Sequence, residues 1–87
     1  MQTLMILHDV DNVDHWLSSP RRMELLGPLG MKARTFVVDR AKSKRVGLIV
    51  EVPSMDAFQK ALETPAAAEA MKFDGVHPDT IVILSEA

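Results

Sequence analysis

The sequence predicts an α+β fold in the order βαββαβ. Three observations carry that expectation. Four short runs rich in β-branched and aliphatic residues, TLMILHDV, ARTFVVDR, RVGLIVEV and TIVILSEA, read as strands. Two longer stretches between them space their apolar residues as a helix does. Those two stretches also repeat each other: Asp14-x-Trp16 and Asp56-x-Phe58 stand early in each, and Ser19-Pro20 and Thr64-Pro65 follow.

Residues 3–10 have no helical spacing and end at aspartate and asparagine, as a buried strand does. From Val13 the apolar residues Trp16, Leu17, Met23, Leu25 and Leu26 mark a helical face that Gly27, Pro28 and Gly30 terminate. Asp11 or Asn12 is the expected N-cap, with Asp14 facing the positive end of the helix dipole. Residues 33–40 and 45–52 form the second and third strands, joined by the polar turn AKSK into a hairpin. Ser54 caps the second helical stretch, which carries Phe58, Ala61, Leu62, Ala66, Ala70 and Met71 and ends before Gly75. Residues 80–87 form the last strand. A hydroxyl residue followed by proline is a helix start, so each helix is expected to break in two at its Ser-Pro or Thr-Pro.

Two β-α-α′-β units related by a pseudo-twofold describe a ferredoxin-like split βαβ domain over residues 1–87. It has a four-stranded antiparallel sheet in the order 4-1-3-2 with both helices on one face. In RVGLIVEV, Val46, Leu48, Val50 and Val52 form one alternating set and Gly47, Ile49 and Glu51 the other, so neither is wholly polar. Strands apolar on both sides are buried on both sides. A second copy of the chain is therefore expected to cover the bare face, giving a homodimer through the sheets. A chain of 87 residues has a thin core, and without cysteine no disulfide reinforces it, which points the same way.

Composition excludes several partners. A net charge of −2 argues against nucleic acid. The basic residues Lys32, Arg34, Arg40, Lys42, Lys44 and Arg45 read as a solvated hairpin, because Phe36 is the only aromatic among them. No apolar run is long enough to span a membrane. The amino terminus lacks the basic start of a signal peptide, and the absence of cysteine suits the cytoplasm.

The order βαββαβ, together with DHWLSSPRR, RVGLIVEVPSMDAFQKAL and TPAAAEAMKFDGV, resembles the dimeric α/β-barrel superfamily, and in particular its small bacterial members. The resemblance implies two ferredoxin-like sheets packed into a barrel. It also implies a choice of activities: cofactor-independent monooxygenases of antibiotic pathways, haem-degrading enzymes, isomerases, polyketide cyclases and stress-responsive proteins. Haem-degrading relatives use an Asn, a Trp and a His, but Asn12, Trp16 and His77 do not stand on the corresponding elements. No cofactor is expected.

The residues themselves narrow the chemistry. There is no glycine-rich phosphate loop, no nucleophile elbow, no cysteine and no tyrosine. The stretch HDVDNVDHW fails as a calcium loop, because neither the sixth-position glycine nor the twelfth-position glutamate is present. Its aspartates read as helix caps, but that leaves His8, inside an apolar strand, unexplained. Topology brings His8, Asp9, His15 and the loop 74–79 with His77 towards one rim of the sheet. Three readings stand open there: unrelated histidines, a general acid/base site, or a divalent-metal site. His8 is the candidate base, with His15, His77 and Asp9 around it. Trp16, Phe36, Leu48, Val50 and Phe58 are expected to line a cleft between sheet and helices that takes a small apolar molecule. Glu51 is either a pocket carboxylate or a partner for Arg34 across the dimer. A non-catalytic homodimeric module is the competing function.

Overall fold

The computed structural model describes all residues, 1–87. Strand β1 spans Gln2–Asp9, β2 Lys32–Val37, β3 Arg45–Val52 and β4 Val82–Ser85. They form one antiparallel sheet in the order β2-β3-β1-β4, the order expected of a ferredoxin-like fold. Between β1 and β2 run helices α1 (Val13–Ser18) and α2 (Arg21–Leu26), and between β3 and β4 run α3 (Met55–Leu62) and α4 (Pro65–Asp74). Each helical stretch is thus broken at its hydroxyl-proline pair, as the repeat predicts.

The breaks have local causes. Thr64 Oγ1 accepts from the Ala67 amide at 3.2 Å with Pro65 in the first turn, which starts α4 afresh. At the matching place Ser19 Oγ accepts from the Arg21 amide at 3.2 Å, and Pro20 itself is the N-cap of α2. Asn12 and Ser54 cap α1 and α3, their side chains accepting from the amides of His15 and Ala57. Helix α4 ends at Gly75, whose φ of 70° suits glycine alone among common residues, and a Cβ there would also press on Asp11.

The strand register assigns the two faces. Leu4, Ile6 and His8 stand opposite Val50, Leu48 and Val46, and all six are buried against the helices together with Trp16 and Phe58. Thr3, Met5, Leu7 and Asp9 point the other way, beside Gly47, Ile49 and Glu51 of β3, Arg34 and Phe36 of β2 and Val82 and Leu84 of β4. No helix lies on that second face, and Met5, Phe36, Val82 and Leu84 are exposed on it. Glu51 lies there too, opposite Lys32 in register, so it is not a pocket carboxylate.

The basic hairpin loop serves the rim. Arg40 pairs with Asp14 at 3.0 Å, Lys44 donates to the Asp11 carbonyl at 2.8 Å, and Arg45 pairs with Asp9 at 3.2 Å. These pairs are at least partly exposed, so they orient the loop and add little stability.

Candidate functional site

A cavity of about 100 Å³ lies between the sheet and the helices and communicates with solvent. Twelve of its fifteen lining residues are apolar, among them Ile6, Trp16, Leu48, Phe58 and Ile83. The other three are His8, Arg22 and Asp74. Each of these three has a buried polar atom with no hydrogen-bond partner: His8 Nδ1, Arg22 Nη1 and Asp74 Oδ1. Buried polar groups are nearly always paired, because leaving one unpaired costs about 1–3 kcal/mol. All three unpaired buried side-chain atoms of the chain therefore belong to residues lining one cavity.

His8 reaches the cavity because of strand parity. It shares the helix-facing side of β1 with Leu4 and Ile6 and is only 4 % exposed. Its ring meets Trp16 edge to face, with centroids 5.5 Å apart. Burial pushes its pKa below the ordinary 6.5; a polar contact with the Asp9 backbone works against that, and the Arg22 charge works with it. At neutral pH the imidazole is therefore uncharged and able to take a proton.

Arg22 comes from the first turn of α2, which Pro20 re-aims after the break. Its guanidinium sits over the Trp16 ring, 4.5 Å from the centroid, so the aromatic face partly replaces lost hydration. Burial lowers its pKa and the Asp74 charge opposes that, yet the two form no ion pair within 4.0 Å. Asp74 is the last residue of α4 and is 5 % exposed. A carboxylate at that position faces the negative end of the helix dipole as well as losing water. The Arg22 charge offsets part of this cost, but Asp74 Oδ1 is left without a hydrogen-bond donor.

Of the other residues that sequence points to, Trp16, Leu48 and Phe58 line the cavity. Val50 is on the correct face but is fully enclosed in the core beyond the cavity. Phe36 corrects the expectation: it lies on the opposite face of the sheet and is 49 % exposed, because β2 turns its odd-numbered residues towards the helices. Asp9 follows His8 in a strand and so points away from it, towards Arg45. His15 donates from Nε2 to the Phe73 carbonyl at 2.8 Å on the outside of the helices. His77 binds Asp11 at the rim, and its amide donates to the Asp9 carbonyl at 2.9 Å. The three histidines thus occupy three environments. No group of three or more histidine, cysteine or carboxylate side chains is gathered closely enough to hold a metal ion, which overturns the metal reading of the rim.

Arg22 is the site residue that the sequence did not single out, and Asp74 was expected only as the first residue of the rim loop 74–79, whereas it ends α4 and lines the cavity. In SSPRR the arginines look like a solvated basic pair, and in KFDGV the aspartate looks like a helix-end turn residue. The usable signal was the hydroxyl-proline break, which resets the helical phase and turns Arg22 inward.

No protein-family profile matches the chain, and no curated protein matches it in sequence. Solved structures do match. A crystal structure of an antibiotic biosynthesis monooxygenase superposes with a TM-score of 0.60 at 16 % identity, covering 100 % of this chain and 99 % of that one. An Arabidopsis thaliana protein gives a TM-score of 0.57 at 10 % identity, with coverage of 100 % and 94 %. A Deinococcus radiodurans protein described as a candidate antibiotic biosynthesis monooxygenase gives 0.53 at 13 % identity, with coverage of 100 % and 91 %. The chain shares the ferredoxin-like α+β fold of these structures. At such identities the likeness speaks for the fold and leaves function to the site. No helix is long and apolar enough to cross a membrane.

Proposed function

We propose that the chain binds a small, largely apolar organic molecule in the cleft between sheet and helices, and that His8 acts there as a general base in cofactor-independent proton-transfer or oxidative chemistry. The observation that carries this reading is the apolar cavity with His8, whose Nδ1 is buried and unpaired, among its lining residues. An imidazole kept neutral by burial is in the correct form to accept a proton near neutral pH. The monooxygenase-type neighbours agree with this class of chemistry.

The protein works as a homodimer in this proposal. Met5, Phe36, Val82 and Leu84, all exposed, together with Leu7 and Ile49, make the helix-free face of the sheet an apolar surface. Monomeric proteins rarely leave such a surface in water, and a second copy of the same sheet matches it.

Trp16 is the only tryptophan, so its fluorescence and its indole N–H resonance report the cavity directly. A screen of small aromatic compounds is expected to shift both signals in the wild-type protein. Any substrate so found should lose turnover in His8→Ala while the dimer mass stays unchanged. If no compound perturbs Trp16, the pocket reading fails. Full turnover in His8→Ala would remove the base role alone.

A further inference from the structure

From Arg22 and Asp74, a buried donor and a buried acceptor that line one cavity without bonding to each other, we infer that the site recognises an uncharged polar group, one carrying a hydrogen-bond acceptor and a donor side by side, and that it rejects both anions and cations. A primary amide or a group of the same pattern on a small apolar body is the ligand class. The inference rests on the cleft being a ligand site and adds which chemistry it selects.

The argument begins with what is left unpaired. Arg22 Nη1 is a buried donor without an acceptor, and Asp74 Oδ1 is a buried acceptor without a donor. Both line the same cavity, yet they do not bond to each other. Two opposite charges left apart in an apolar enclosure would gain by closing on one another, so the fold holds them open: Arg22 is braced on the Trp16 ring and Asp74 is fixed at the end of α4. Helix α2 packs on α4, which sets the spacing between the two side chains.

Charge then selects the ligand. With His8 neutral, Arg22 and Asp74 sum to zero. A carboxylate would satisfy Arg22 but would stand beside the Asp74 carboxylate, and a cation would meet Arg22 in the same way. A neutral group with a carbonyl-type oxygen towards Arg22 and an N–H or O–H towards Asp74 satisfies both without adding charge. At about 100 Å³ the cavity is smaller than the roughly 150 Å³ dry apolar cavity that holds benzene, so a single substituted ring would fill it and extend into its solvent-open mouth.

Benzamide, benzoate, benzamidinium and toluene have nearly the same shape and differ in charge and hydrogen-bonding pattern. Their dissociation constants for the intact protein, read from Trp16 fluorescence and the indole resonance at pH 7.5, decide the matter. Benzamide should bind at least about tenfold more tightly than the other three, since each of them leaves a buried partner unpaired. In Asp74→Asn the balance of charge becomes positive, and benzoate should overtake benzamide. The wild-type series stands even if that variant does not fold. Preference for benzoate or benzamidinium, or equal binding of toluene, overturns this inference and leaves the cleft as a ligand site. Binding of none of the four overturns both.

Discussion

The two faces of the sheet use similar side chains for opposite ends. On the helix side, Leu4, Ile6, Val46, Leu48 and Val50 are buried and close-packed, and the only imperfection is a cavity with three unpaired polar atoms. On the other side, Met5, Phe36, Val82 and Leu84 are exposed, Asp9, Arg45 and Glu51 stand near the ends of the strands, and Arg34 stands in the middle of β2 opposite Ile49. In the proposed reading the face with the cavity receives a small molecule, and the open face, apolar but crossed by Arg34 and hollowed beside Met5, Ile49 and Leu84, receives another surface.

The sharpest way to break this contrast is to remove the wall that serves core and cavity at once. Trp16→Ala should cost about 3–5 kcal/mol, a large part of the roughly 5–15 kcal/mol that holds a domain together. Its melting temperature by circular dichroism should fall by at least ~12 °C; a fall of only a few degrees would mean that Trp16 is not a core residue. Next comes the open face. The double substitution Met5→Glu with Leu84→Glu should leave the fold intact and convert the dimer to monomer in light scattering. An unchanged mass would place the interface elsewhere.

The two pH effects are smaller and opposite in sign. His8 has its pKa lowered, so its contribution to stability is complete above about 6.5 and is lost as pH falls through that value towards the folded pKa. Replacing it in His8→Leu should therefore flatten the loss of stability between pH 6.5 and 5 in urea unfolding, and an acid limb as steep as wild type would show that His8 does not titrate as a buried group. His77 has its pKa raised, chiefly by its hydrogen bond to Asp11. Its contribution is complete below about 6.5 and disappears as pH rises through the folded pKa. His77→Gln should weaken the protein slightly at pH 5.5 and not at pH 8.5, since the pair is exposed to solvent. An equal effect at both pH values would mean that charge is not involved.

Most of the fold was legible because its signals are local. Alternation in RVGLIVEV, the caps at Asn12, Ser54 and Thr64 and the stop at Gly75 each act within a few residues. The site was legible only in part. His8 stood out because a histidine inside an apolar strand has no local reason to be there. Met23 and Arg22 show what was hidden: the break at Ser19-Pro20 was legible, but not the phase in which the helix restarts, which leaves Met23 exposed and brings Arg22 in. Phe36 was misplaced because β2 carries acceptable inward residues at both parities, and only its pairing with β3 decides between them. Asp74 could be recognised only once its burial was known.

The repeat in the chain has one more consequence. Arg22 belongs to the first β-α-α′-β unit and Asp74 to the second, so a molecule held by both would span the joint between the two halves. Occupancy would then act as a removable cross-link. It would resist separation of the halves, slow amide exchange in α2 and α4 together, and make the rigidity of the whole domain a readout of what its pocket contains.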